Sequence, residues 1–202
     1  MTTILQVNSS ILASHSVSRL LTREIVQKAL TLHPGANVVE RDLAATPPPH
    51  LSGLHLAAMQ TQHSDNPQVD VDLKQAKTIM DEVFQADVIV VGAPMYNFSL
   101  PSQLKAWIDR LVVAGKTFRY GPNGPEGLLP QGKKAIIASA RGGVYTGQQE
   151  FQESYLEVVL RFIGIQMVTI IRAEGVSMGD AEKQVAIDKA RQMINALTSA
   201  NS

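Results

Sequence analysis

Five short runs of apolar and β-branched residues punctuate the chain, at Thr3–Val7, Asn37–Arg41, Val88–Ala93, Ala135–Ser139 and Met167–Arg172, and each is read as a β-strand. The third, built on Val88-Ile89-Val90-Val91, lacks polar alternation, as expected of a strand buried on both faces. Between the runs the period lengthens to that of a helix. Val17, Leu20, Leu21, Ile25 and Ala29 form one stripe, Leu73, Ala76, Ile79, Met80, Val83 and Phe84 a second, and Leu104, Trp107, Ile108, Leu111 and Val112 a third, with Pro101 suited to its first turn. Two more helices are expected over Glu150 to Ile163, ending at Gly164, and from Asp180 to Leu197. Strands alternating with helices specify an α/β fold around a parallel sheet. Five such units fit a three-layer sandwich: a five-stranded parallel sheet of order 2-1-3-4-5 with helices on both faces. Two stretches show neither period and are expected as long, irregular, functional loops: Ala44 to Pro67, with Pro47-Pro48-Pro49, and Gly115 to Lys134, which carries Phe118 and Tyr120. No repeat, linker or second domain is evident, so residues 1–202 are read as one domain.

Composition narrows the possible partners. Lys plus Arg equals Asp plus Glu, at 18 each, so no net field draws the chain to nucleic acid or an anionic membrane. Cysteine is absent, which excludes disulfides, thiolate nucleophiles and thiolate metal sites and requires any redox chemistry to come from a cofactor. The N-terminal Met1-Thr2-Thr3-Ile4-Leu5 lacks the basic region of a signal peptide, and no stretch is apolar enough to span a bilayer, so a cytoplasmic location is expected. The sequons at Asn8 and Asn97 are then chance matches.

A sheet of this order binds ligands beyond the strand C-termini, where the winding reverses between strands one and three; flavodoxin, which shares the order, seats FMN there. Asn8–Ser18 follows strand one with five serines and leads into a helix, which places hydroxyls beside free N–H groups and the positive end of a helix dipole. Simple N-capping by Ser16 or Ser18 is the competing reading. Gly92–Phe98 follows strand three, with Met95, Tyr96, Asn97 and Phe98 suited to a flat, largely apolar ring, or merely to packing under the next helix. Ser139-Ala140-Arg141-Gly142-Gly143 leaves strand four; its glycines permit close backbone approach, and Arg141 lies near the ligand edge or in solvent. No G-x-G-x-x-G follows strand one and no P-loop motif occurs, which leaves a monophosphate such as that of FMN.

In Ser9-Ser10-Ile11-Leu12-Ala13, Ser16-x-Ser18, Ala93–Phe98, Thr117-Phe118-Arg119-Tyr120, Gly124-Pro125-Glu126-Gly127, Arg141-Gly142-Gly143 and Phe162-Ile163-Gly164, the chain resembles, over essentially its full length, the FMN-dependent NADH:quinone oxidoreductases or azoreductases of the flavodoxin-like superfamily. The resemblance implies one FMN per subunit, with Ser10 and Ser16, Val17 and Ser18 at its phosphate, Met95 to Phe98 at its ring, and Ser139 to Gly143 at the ring's polar edge. It implies hydride transfer from NADH or NADPH through FMN to quinones and azo compounds in a ping-pong cycle, with no catalytic side chain, in a homodimer whose active sites lie at the interface. Asn97, Phe118, Tyr120 and Phe162 are the expected substrate contacts. Family members commonly have serine where Ala140 stands, so a hydroxyl contact is lost there; Ser139 is a candidate to compensate.

Three other functions were weighed. Gly175-Val176-Ser177-Met178-Gly179 matches a hydrolase nucleophile elbow, but all five histidines precede Ser177, the wrong order for that fold, and the glycines suit a turn. His50, His55 and His63 have no metal-ligand spacing and read as solvated loop residues, so no metal is expected. A pure electron carrier would be expected to show a strongly charged docking face, which the balanced charge does not suggest.

Overall fold

The computed structural model describes residues 1–61, 64–145 and 150–202. Its order is β1 (Thr3–Asn8), α1 (Val17–Leu32), β2 (Asn37–Asp42), α2 (Gly53–Thr61), α3 (Pro67–Gln85), β3 (Val88–Pro94), α4 (Ser102–Leu111), β4 (Phe118–Gly121), β5 (Gly124–Gly127), β6 (Lys134–Arg141), α5 (Gln152–Phe162), β7 (Met167–Glu174) and α6 (Asp180–Asn195). The five long strands pair in parallel in the order β2-β1-β3-β6-β7, which is 2-1-3-4-5 once the separate hairpin β4–β5 is set aside.

Strand alternation builds two cores. Leu5, Val7, Ile89, Val91 and Ile137 face α3, α4 and α5, while Ile4, Val88, Val90, Ile136 and Ala138 face α1 and α6. Each fully buried aliphatic side chain contributes about 1.5–3 kcal/mol relative to exposure, so the register is strongly fixed. All seven residues of β3 are buried, as its unbroken apolar run requires. Because α1 and α3 lie on opposite faces, the winding reverses between the C-termini of β1 and β3.

The structure corrects the sequence reading in several places. Within Ala44–Pro67 lies the helix α2, which turns His55 and Ala58 inward and leaves Leu54 and Leu56 exposed; its burial follows no apolar stripe. His55 is therefore not solvated: its Nδ1 accepts from the Ser52 amide at 3.2 Å, and its Nε2 faces Asp72 at 3.1 Å. His63 lies outside the described residues. The stretch Gly115–Lys134 contains the β4–β5 hairpin, closed by a two-residue turn at Pro122-Asn123 between the paired Gly121 and Gly124. Each strand is only four residues long, and β5, Gly-Pro-Glu-Gly, has poor strand propensity, so the hairpin was not legible as strands. Pro101 caps α4 from outside rather than entering its first turn. Finally, β6 extends to Arg141, because Ala140 and Arg141 continue to pair with Ala173 and Glu174 of β7; Ser139, Ala140 and Arg141 are strand residues, not loop.

Candidate ligand-binding cleft

The C-terminal ends of β1, β3, β6 and β7 surround a cavity of about 410 Å³, within the range of small-molecule sites. At one end stands the first turn of α1. Ser16 caps it, accepting the Arg19 amide at 3.2 Å and sharing a 3.1 Å hydrogen bond with the Ser18 hydroxyl. Its carbonyl takes the Leu20 amide. That leaves the amides of Val17 and Ser18, which no intrahelical carbonyl can reach, available to an anion.

The loop after β1 is held from four directions. The Ser9 hydroxyl donates to the Gly92 carbonyl at 2.6 Å, and Gln103 of α4 donates to the Ser9 carbonyl at 2.6 Å. Arg19 donates twice to the Ser10 carbonyl, at 3.0 and 3.1 Å, while its guanidinium forks onto Asp42 at 2.6 and 2.7 Å. The hydrogen bond with Asp42 holds the guanidinium above its ordinary value; the same bond holds the Asp42 carboxyl below the usual range. The Tyr96 hydroxyl meets Ser10 Oγ at 3.0 Å and accepts the Ile11 amide at 3.2 Å, stitching the first loop to the second.

The second loop is a tight turn. Tyr96 and Ser99 exchange both backbone bonds, at 2.8 and 3.1 Å, and the residues between them, Asn97 and Phe98, have φ of +50° and +65°. Positive φ at both central positions is the type I′ geometry, easy for asparagine and strained for phenylalanine. The strain presents Phe98 half-exposed, edge-on to Tyr145 at 5.6 Å.

On β6 the alternation separates the expected residues. Ala140 lines the cavity, and its carbonyl accepts the Met95 amide at 2.8 Å. Ser139 points to the opposite face, where its hydroxyl accepts from Gln152 at 3.0 Å, so it does not replace the missing hydroxyl at Ala140. Arg141 is buried, not solvated. It pairs with Glu153 at 2.7 Å and approaches Glu174 at 3.3 Å and Glu150 at 3.9 Å, yet its Nε and one terminal nitrogen have no hydrogen-bond partner. Glu153 also binds Arg172. Burial raises the Glu153 carboxyl, but hydrogen bonds from Arg172 and Ser139 and the charges of Arg141 and Arg172 outweigh it, leaving the carboxyl below its usual range.

Of the expected ligand contacts, Ser10, Ser16, Val17, Ser18, Met95, Tyr96, Ala140, Arg141 and Gly142 line this cavity; Asn97, Phe98, Ser139 and Gly143 do not. Phe118, Tyr120 and Phe162 gather elsewhere: Phe118 lies 4.7 Å from the Phe162 ring and 5.6 Å from that of Tyr120, which is 78% exposed. Six lining residues were not among the expected contacts: Leu12, His15, Pro94, Val176, Ser177 and Lys183. Ser177 drew notice only through its G-x-S-x-G setting. Gly175, at φ +77°, turns the chain there, and the Ser177 amide donates to the Gly142 carbonyl at 3.1 Å. No sequence pattern marked Lys183.

A doubly wound sheet with a phosphate-sized anion cradle and a cleft at its switch point defines a nucleotide-binding protein of the flavodoxin-like class, and the model of the flavodoxin-like fold family matches residues 2–197. The chain is 49% identical over 195 residues to an FMN-dependent NADH:quinone oxidoreductase of Sinorhizobium fredii, covering 95% of this chain and 94% of that one. It is 46% identical over 202 residues to the enzyme of the same name from Methylorubrum extorquens, covering 98% and 99%. The azoreductase of Bacillus anthracis strain Sterne superposes with a TM-score of 0.83 at 26% identity, over 98% of this chain and all of that one. The chain belongs to the FMN-dependent NADH:quinone oxidoreductase family.

Proposed function

We infer that the chain is an FMN-dependent oxidoreductase that passes hydride from NADH or NADPH to quinones and aromatic azo compounds, as the names of its relatives and structural neighbour say of those proteins. The observation that carries this reading is the cavity at the switch point, with two free helix-terminal amides beside Ser10, Ser16 and Ser18 at one end and the Met95–Tyr96 and Ala140–Gly142 segments at the other. It fits a monophosphate joined to a flat ring. A bound flavin would supply the hydride chemistry between the nicotinamide and the acceptor.

The protein's own share is binding, orientation and exclusion of water. The α1 amides and serines would hold the phosphate, Arg19 and Tyr96 fix the loop that carries Ser10, and the strained turn leaves Phe98 half-exposed. Ala140 and Gly142 line the cavity, and the ion pairs of Arg141 with Glu153 and Glu174 hold the strand end that carries them.

The Phe118, Tyr120 and Phe162 cluster stands outside its own chain's cavity and is partly exposed. In a homodimer with active sites at the interface it walls the partner's cleft, and Asn97 joins it as a substrate contact. Residues 1–202 act as one FMN-binding domain; among the described residues no helix is long and apolar enough to cross a membrane, which fits work in the cytoplasm. The test is retention of FMN through gel filtration, followed by initial rates with NADH and a quinone at several fixed quinone concentrations. Parallel double-reciprocal lines are expected; loss of the flavin, or no NADH oxidation with flavin present, overturns the reading.

A further inference from the structure

The first turn of α1 separates the flavin cavity from a second one of about 560 Å³, and the two share His15, Ser16, Val17 and Lys183. Beyond these, the second cavity is walled by Arg19, Leu20 and Arg23 of α1, by Gln6 and Glu40 of the sheet, and by Ile187 of α6. In a chain of zero net charge, three cations here face one carboxylate. Arg19 is matched by Asp42, and Glu40 accepts from the Asn8 amide at 2.9 Å. Among the described residues the side chains of Arg23 and Lys183 have neither carboxylate nor hydrogen-bond partner. The cavity therefore holds two uncompensated cations beside an apolar wall of Leu20 and Ile187, in the size range of a small-molecule site.

We propose that this second cavity takes the adenylate half of flavin adenine dinucleotide, so that the chain binds FAD as well as FMN. The inference rests on the flavin reading above, which puts the FMN phosphate at the Ser16-Val17 turn common to both cavities. In FAD an adenosine 5′-phosphate is joined to that same phosphate, so the extension enters the second cavity directly. The second phosphate, with its single charge, then meets Lys183 and Arg23, and the adenine lies against Leu20 and Ile187. A nicotinamide dinucleotide has no such tether to the turn, and its adenylate is not directed there.

The test uses the full chain, stripped of flavin and titrated with FMN and with FAD while flavin fluorescence is followed, for the parent and for Arg23→Glu. Of the two cavities Arg23 lines only the second, and it is exposed with no side-chain partner among the described residues, so its reversal leaves the fold and the FMN site in place. FAD is expected to bind within about tenfold of FMN, and Arg23→Glu to weaken FAD by about tenfold, the scale of one charge-assisted contact in partly solvated surroundings, with FMN affinity unchanged. Failure of FAD to bind a protein that takes FMN overturns the inference, as does an Arg23→Glu variant that shifts both flavins equally or neither. If the parent binds neither flavin, the flavin reading itself fails and this inference with it.

Discussion

Replacing Glu153 by glutamine tests the wiring beneath the Gly142 segment. The carboxylate residue is 4% exposed and is shared by Arg141, 1% exposed, and Arg172. Removing one partner of a buried ion pair costs about 3–5 kcal/mol. Here Arg172, whose side chain is 33% exposed, regains water, and Arg141 keeps Glu174 at 3.3 Å, so about 2–3 kcal/mol is expected. For a chain of this size that lowers Tm by about 8 °C. The pH dependence follows from the depressed carboxyl of the folded state. A group whose folded pKa lies below its unfolded one contributes stability that is complete above the unfolded value and is lost as pH falls through the folded one. The parent's advantage over Glu153→Gln is therefore constant near neutrality and shrinks as pH falls through the carboxylate range. Urea unfolding of flavin-free protein, followed by far-ultraviolet circular dichroism from pH 7 downward, measures both effects. Equal stability at pH 7, or a difference that does not shrink in acid, refutes the reasoning.

Other outcomes follow from the same geometry. Ser16→Ala together with Ser18→Ala removes two hydroxyls beside the anion cradle and is expected to weaken FMN binding by at least tenfold, since a hydrogen bond to a charged group is worth about 1.5–3 kcal/mol; fluorescence titration reads it. Tyr96→Phe deletes the hydroxyl that joins Ser10 to Ile11 and should raise the FMN dissociation constant severalfold, with unfolding changed by about 1 kcal/mol. Asn97→Val puts a β-branched residue at φ +50° and is expected to destabilise by about 1–3 kcal/mol in urea, whereas Asn97→Gly stays near the parent. In Gly127→Ala the new Cβ would stand 2.3 Å from the Gly164 amide nitrogen, so the hairpin that carries Phe118 and Tyr120 must shift, and quinone turnover should fall while flavin affinity holds.

Much of the fold was legible because its signals are periodic: five apolar runs became the five strands of the parallel sheet, and the stripes on α1, α3 and α4 pack as their spacing required. The elements that escaped carry no such period. α2 buries a histidine and an alanine while exposing two leucines, and the hairpin pairs the four-residue β4 with a β5 made mostly of glycine and proline. At the cleft, residues contiguous in sequence with strand ends could be found by position alone. The choice between Ser139 and Ala140 could not, because it depends on how far β6 continues pairing and hence which face each residue takes. Ser177 was in principle findable, since β7 neighbours β6 and its C-terminal turn must lie at the same sheet edge. Lys183 and Arg23 come to their cavity only through the packing of α6 beside α1.

The central claim is that one cleft passes hydride in two separate half-reactions. Anaerobic mixing of the FMN-loaded protein with one equivalent of NADH should bleach the flavin absorbance in the absence of any acceptor, and adding a quinone after the NADH is spent should restore it fully. A flavin that stays oxidised with NADH alone, or that bleaches but is not reoxidised by quinone, would contradict the account.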